Sequence, residues 1–345
     1  MCNRKKEAIG SELDVHHIDY DKQNNDEHNL VALCKECHMR TNFNRLYWEK
    51  FFRQKRICRL EKKHKITILL STRDRATELA LLLSSLRYQT FQNWDVVIVD
   101  GSQPVSILNT HFVMSIVNRL KLEGHRIHFA GVVIQGVCHS RQTAIEVMEK
   151  EKFEGNLCLR IDDDTIPDSD YIEKLVCGIE AGYDLVSGCT PHCASPEVMR
   201  ETRFIKPLAN RIILSDTGEV VEIGDDQALT YDTSEIIPIH HFRSSALYKK
   251  ELHTKAGINY KLGLSNVGFR EETWISIKAI LAGYKLGFHT GAKYYHLQTP
   301  SGGCRWADYG TLVNIDEQHF RNWIKRKFQE KGNFLKDYEV KTCPQ

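Results

Sequence analysis

The chain has 345 residues, 41% hydrophobic and 27% charged, with a formal net charge of +2. That length leaves room for one large or two unequal domains with a sizeable core, the composition is ordinary for a soluble globular protein, and the near-balance of charge excludes a polyanion-binding surface over the whole chain. No apolar run is long enough to span a membrane and no signal peptide opens the sequence, so we expect no membrane partner and a cytoplasmic location; the 11 cysteines, odd in number and scattered through apolar runs (Cys138, Cys158, Cys177), suit a reducing compartment.

The first fifty residues read as a unit of their own. Cys2 opens it, Val15-His16-His17-Ile18 follows, Asn29 precedes an apolar stretch, and Cys34-Lys-Glu-Cys37 runs directly into His38. This pattern resembles the HNH endonuclease module, a ββα-metal fold often braced by a structural Zn²⁺. The resemblance covers residues 1–52. It implies that His16 and His38 hold a catalytic metal, that His17 activates water, and that Asn29 orients the loop carrying His17. Cys2, Cys34 and Cys37 would be zinc ligands, one short of the four that a structural site wants. Whether such a module cuts DNA or only binds it stays open.

Nine Lys or Arg stand against two Glu from Arg45 to Lys65, with Tyr47, Trp48, Phe51 and Phe52 interleaved. A helix running into a basic linker over 53–64 fits. Basic residues with aromatics suit a nucleic-acid backbone; they equally suit a solvated helix with one packed aromatic face.

At Ile66 the rhythm changes. Ile66–Ser71 reads as a buried strand, residues 76–89 as a helix through Leu79, Leu82, Leu83 and Leu86, and Trp94–Val99 as a second strand running into Asp100. This is a βαβ unit of an open α/β sheet, with a ligand-type residue at each strand's carboxyl end. Residues 126–134 give a third strand. Gly136–Ile145 then opens a helix carrying Arg141, and Leu157–Ile161 is an apolar strand that ends in Asp162, Asp163 and Asp164. Three adjacent carboxylates repel unless something offsets their charge. A hard divalent cation does so, and would also hold substrate phosphates; a solvated acidic turn capping the next helix is the alternative.

Taken together, Ser71-Thr72-Arg73-Asp74-Arg75, Val99-Asp100-Gly101-Ser102, the Arg141 segment and the acidic strand end resemble family 2 glycosyltransferases of the GT-A fold, an α/β Rossmann-like and mostly parallel sheet with helices on both faces. Gln142 stands where that family usually has Asn. The resemblance covers residues 65–300, with 301–345 as a C-terminal helical extension. It implies donor contacts from Thr72, Arg73, Asp100, Arg141, Asp162 and Asp163, and a Mn²⁺ or Mg²⁺ ion on Asp164 and Asp162.

Further on, a strand is expected at Asp184–Gly188 and another at Phe242–Tyr248, while residues 190–240 carry no clear periodicity. Ser265–Trp274 leads into a helix through Ala282 and resembles the family's Gly-x-x-Glu-Asp segment, whose last acid is the catalytic base. That assigns the base to Glu272, with Glu271 the neighbouring candidate; acids also favour any helix N-terminus. Gly283–Gly287 ends the helix. Residues 291–298 read as a strand containing His296, either a third metal ligand or a structural histidine. Ser301-Gly302-Gly303 reads as a flexible lid segment, and residues 316–330 as a basic amphipathic helix.

The expected reaction is transfer of a sugar from a UDP-sugar donor to a hydroxyl, with inversion. Fusion to a DNA-reading module points to DNA as acceptor, a hydroxymethylated pyrimidine supplying the hydroxyl as in phage-type DNA modification. Two alternatives stay open: a glycan-building enzyme with a relic HNH module, and an HNH endonuclease with an appended nucleotide-binding domain.

Overall fold

The computed structural model describes residues 12–25, 29–103, 105–133, 135–190, 210–224, 234–300, 302–303 and 308–342. Cys2, Ser301 and much of the 190–240 region lie outside them. The chain divides into two compact units, one ending at Lys63 and one beginning at His64.

In the N-terminal unit, strand β1 (Asp14–His17) pairs antiparallel with β2 (Leu30–Leu33), and helices α1 (Lys35–Thr41) and α2 (Arg45–Lys63) follow. Leu33, Cys34, Cys37 and Phe52 form its small core, with Trp48 and Phe51 packed against them. Thus the aromatic face of α2 is used at its N-terminal end, and the basic residues continue along one uninterrupted helix.

The second unit opens with β3 (Ile66–Thr72), α3 (Ala76–Arg87), β4 (Trp94–Asp100), α4 (His111–Leu122), β5 (Ile127–Gly131), α5 (Val137–Lys150) and β6 (Leu157–Ile161). Leu79, Leu82, Leu83 and Leu86 are fully buried on one stripe of α3, as the spacing predicts. These four strands lie in the order β5-β4-β3-β6, all parallel. Apart from Ser71, every residue of β3, β4 and β6 is buried, so both faces of this half-sheet are covered.

Next come β7 (Thr165–Pro167), α6 (Tyr171–Glu180), β8 (Leu185–Cys189), the hairpin β9 (Ile212–Leu214) and β10 (Val220–Ile223), β11 (Ile236–Pro238), β12 (Ser245–Lys249), α7 (Glu251–Thr254), α8 (Glu271–Leu281), β13 (Leu286–His296), α9 (Tyr309–Lys331) and α10 (Phe334–Thr342). The sheet turns antiparallel at β12, which lies between β6 and β8. β13 runs parallel to β8, and its far end pairs with β7. β12 starts three residues later than the sequence suggests, since Ser244 takes a left-handed φ of 43°. Phe320 and Ile324 of α9 belong to the same core as Trp274 of α8, so the C-terminal helices are part of this unit's packing.

Candidate active site

The acidic turn sits where β6 leaves the sheet. The Asp162 amide donates to the Ser244 carbonyl, and the Thr165 hydroxyl donates to the Asp162 carbonyl at 2.7 Å, closing the turn into β7. Because β7 pairs with β13, Thr165 stands opposite His296. The imidazole thereby comes to Asp164, with 3.1 Å between Nε2 and Oδ1. One ligand atom each from Asp162, Asp164 and His296 lie within 4.8 Å of one another. Two carboxylates and an imidazole suit Mn²⁺ or Mg²⁺, and adjacent ligands of an octahedral ion with 2.0–2.1 Å bonds are separated by about 3 Å. The residues present therefore fit a divalent ion. Burial pulls the His296 pKa down, but the hydrogen bond and charge of Asp164 outweigh it and leave it raised.

Asp163 is tied elsewhere. It is buried, and Arg75 Nη1 donates to its Oδ1 at 2.9 Å while lying 3.1 Å from Asp164 Oδ2. Arg75 Nη2 also donates to the Thr299 carbonyl. Burial, with Asp164 adding to it against Arg75, pushes the Asp163 carboxyl up to about 7.

Across the site stand the two glutamates of α8. The preceding loop is held against the start of α5: the Val137 amide donates to the Asn266 carbonyl at 3.1 Å. At Gly136 a Cβ would fall 2.4 Å from Asn266 Cα, so only glycine permits this approach. Arg270, also left-handed at φ 70°, turns the chain into the helix. Glu271 then lies buried between two guanidinium groups, 2.8 Å from Arg160 Nη2 and 2.9 Å from Arg141 Nη2. Glu272 Oε1 accepts from the same Arg160 nitrogen at 2.9 Å, and its side chain is 22% exposed. Asp162 Oδ1 lies 3.1 Å from Arg141 and 3.3 Å from Arg160. Two arginines thus hold three carboxylates. Burial pushes Glu271 well above the ordinary range; for Glu272, burial acts the same way, but the charge and hydrogen bond of Arg160, its own backbone amide and the charge of Arg243 together outweigh it and lower the pKa. Glu272 is the ionised acid that faces the cleft, and Glu271 is the buried one.

The cleft has a volume of about 280 Å³ and is lined by five arginines, Arg73, Arg75, Arg141, Arg243 and Arg270, besides Asp162, Asp163, Asp164, Glu271, Glu272 and His296. Two of the residues singled out in the sequence do not line it. Thr72 is buried at the end of β3. The Asp100 carboxylate is occupied: Oδ1 accepts from the Ser102 amide at 2.9 Å, and Oδ2 from the Ser106 hydroxyl at 2.7 Å and the Ile107 amide at 2.9 Å. Asp100 shapes the loop after β4. Sequence reading missed Arg75, Arg160 and Arg243; the one available signal was an arginine inside the apolar run Leu157–Ile161.

In the N-terminal unit, His16 on β1 is buried and its ring meets that of His38 on α1, with centroids 5.4 Å apart. Burial, then the neighbouring His38 and His17, lowers the His16 pKa. His38 Nδ1 lies 3.1 Å from Asp14 Oδ2, and His17 Nε2 lies 3.1 Å from Asn25 Oδ1. Asn29 accepts from the Asp19 amide and donates to Asp19 Oδ1 and the Asn24 carbonyl, which ties the loop after His17 to the start of β2. Cys34 and Cys37 are buried; Cys2 lies outside the described residues.

Residues 67–210 match the family described as glycosyl transferase family 2, and residues 1–43 match HNH endonuclease. Over residues 67–210, under half of the chain, the sequence is thus similar to family 2 glycosyltransferases. No curated protein matches the sequence. Among solved structures, GalNAc-T7 with UDP, GalNAc and Mn²⁺ gives a TM-score of 0.50 at 11% identity, covering 80% of this chain and 55% of that one; at that identity the likeness speaks to the fold. TarS of S. aureus gives 0.46 at 15% identity, covering 76% of this chain and 43% of that one. Its 1–349 fragment with UDP-GlcNAc gives 0.48 at 13%, covering 77% and 71%. This chain thus spans less than half the length of TarS. Among the described residues, no helix is long and apolar enough to cross a membrane.

Proposed function

We propose that the second unit transfers a sugar from a UDP-sugar to an acceptor hydroxyl with inversion, in a divalent-metal-dependent reaction. The carrying observation is one cleft with Asp162, Asp164 and His296 gathered on one wall and a partly exposed Glu272 on another. The UDP, GalNAc and Mn²⁺ bound to GalNAc-T7 support this choice of donor and metal.

Asp164, Asp162 and His296 would hold the ion, which when bound supplies charge neutralisation at the leaving diphosphate. Arg73 and Arg141 reach the same anion as planar, bidentate donors. Arg160 is buried behind the site, and its role is to keep Glu272 ionised. Glu272 takes the acceptor's hydroxyl proton on the carboxylate oxygen not bonded to Arg160, as a general base. The acceptor oxygen then attacks the anomeric carbon from the face opposite the diphosphate, the bond to the diphosphate breaks, and configuration inverts.

For the acceptor, the HNH match at residues 1–43 and the exposed Lys50, Lys55, Arg59 and Lys62 on one face of α2 favour DNA. A hydroxymethylated pyrimidine offers the hydroxyl, and must be flipped or single-stranded to enter a cleft. In the N-terminal unit, Zn²⁺ on Cys34, Cys37 and Cys2 would brace the fold, and His16, His17 and His38 would serve a nuclease centre. The test is incubation with UDP-sugars, Mn²⁺ and hydroxymethylated or plain DNA, followed by mass measurement of the digested nucleosides. A hexose added only to the hydroxymethylated base is expected. Turnover of UDP-sugar with no mass added to either DNA would replace DNA by a glycan acceptor.

A further inference from the structure

Behind the α8 glutamates, helix α9 grips the loop that aims them. Asp316 is buried on α9, and its carboxylate takes three bonds from that loop: Oδ1 from the Ser265 amide at 2.7 Å, and Oδ2 from the Ser265 hydroxyl and the Phe269 amide, both at 2.8 Å. The next residue, Glu317, accepts from Arg270 Nε at 2.7 Å and from Arg321 Nε at 2.6 Å. Arg321 in turn donates to the Val220 carbonyl. The gripped segment ends at Arg270, whose left-handed φ of 70° costs a non-glycine residue free energy and persists only where its surroundings fix it. Glu271 and Glu272 follow at once. Hydrogen bonds to a buried carboxylate are the stronger kind, and three converging on one group leave the loop little freedom.

We infer that Asp316 is a positioning residue for Glu272: the C-terminal helix holds the Ser265–Arg270 loop so that the base stands at working distance from the acceptor. The inference rests on Glu272 being the base. Asp316 itself does not line the cleft. Its effect therefore passes through the loop, and a displacement of about 1 Å at a reacting group can cost around a hundredfold in rate.

The test is a double-mutant cycle on the full chain with Asp316→Asn, Glu272→Gln and the pair. Turnover is followed with whichever of UDP-glucose, UDP-galactose and UDP-GlcNAc the unaltered protein uses fastest, and UDP affinity is measured with Mn²⁺ present. Asparagine keeps the size of the side chain but replaces one acceptor oxygen by a donor, against two donors of the loop. Asp316→Asn is expected to lower kcat by roughly tenfold to a hundredfold, with UDP affinity within about threefold of the unaltered protein. In the Glu272→Gln background the same change should add less than about twofold, because a base already absent cannot be misplaced. Multiplicative losses in the pair, or an unchanged kcat in Asp316→Asn, would overturn the positioning role. If Asp316→Asn loses UDP binding, Ser265→Ala decides instead. It removes one of the three bonds, and must lower kcat while Glu272 is intact but add nothing further when combined with Glu272→Gln. Unchanged turnover in Glu272→Gln alone would reject the base assignment, separately from Asp316.

Discussion

Arg160 Nη2 lies 2.9 Å from Glu272 Oε1, and this one nitrogen joins the glutamate of α8 to the acidic end of β6. The guanidinium is 2% exposed and also meets Glu271. Removing it would leave Asp162 and Glu271 to Arg141 and take from Glu272 its ion-pair partner. Arg160→Met should therefore destabilise the fold by about 3–5 kcal/mol, the usual cost of breaking a buried pair from one side. Urea unfolding at pH 7 measures it. A change below about 1 kcal/mol would show that Arg141 alone suffices.

The same bond sets a pH dependence. Burial raises the Glu272 pKa, the charge and hydrogen bond of Arg160 with the backbone amide and Arg243 together outweigh it, and the net shift is downward. A general base works deprotonated, so activity is lost only as pH falls through that lowered value. The acid limb of kcat/KM should lie below the ordinary glutamate value of about 4.3, leaving the profile flat between about pH 7 and 5 as far as this group is concerned. Glu272→Gln should reduce kcat by about a hundredfold to ten-thousandfold. An acid limb near neutrality that vanishes in Glu272→Gln would contradict this ordering.

A second pH effect belongs to the fold. His241 is buried, its ring Nε2 bonds the Gly224 carbonyl at 2.9 Å, and burial followed by the charge of Arg243 pushes its pKa down to about 3. The unfolded chain protonates this group below about pH 6.5 while the folded chain does not. Its contribution is complete above that pH and drains as pH falls toward 3, by up to about 1.4 kcal/mol per unit. Urea midpoints at pH 7, 5.5 and 4.5 should fall less steeply in His241→Gln than in the unaltered protein. Parallel declines would show that the histidine is not a source of acid lability.

Much of this was legible in the sequence because burial and chemistry coincide there. Ile66–Leu70 and Leu157–Ile161 are unbroken buried runs, and the carboxylates stand where such strands end. Charged groups that work from inside the core were harder to see. Arg160 occupies a strand position that periodicity assigns to an apolar side chain, and Asp316 sits in a helix whose polar residues read as a solvated face. β13 was harder too: Gly287 and Gly291 suggest a break, yet the strand runs through both. At Gly291 a Cβ would fall 2.5 Å from Ser234 Oγ, so the glycine reflects close packing. Asp100 was legible as a strand-end acid, but its three loop partners lie within seven residues of it and signal a turn as readily as a ligand site.

The N-terminal unit makes its own prediction. Lys50, Lys55, Arg59 and Lys62 share an exposed face of α2 with Tyr47 and Phe51. If they meet phosphates of duplex DNA, replacing all four by alanine should reduce the log–log salt slope of binding by about 0.9 for each phosphate no longer neutralised. Binding measured in the full chain from 50 to 200 mM salt checks it. An unchanged slope would make this a solvated face. Cleavage of plain duplex DNA should be weak, and robust nicking abolished in His17→Ala would instead assign the unit a nuclease activity.

A requirement for a divalent ion on Asp162, Asp164 and His296 is what the proposed sugar transfer rests on. It is tested most directly by UDP release from UDP-sugars with added Mn²⁺, with EDTA, and in Asp164→Ala. Turnover is expected with Mn²⁺, none in EDTA, and none in Asp164→Ala, whose thermal midpoint should stay near that of the unaltered protein. Full turnover in EDTA, or in Asp164→Ala with Mn²⁺, would contradict it.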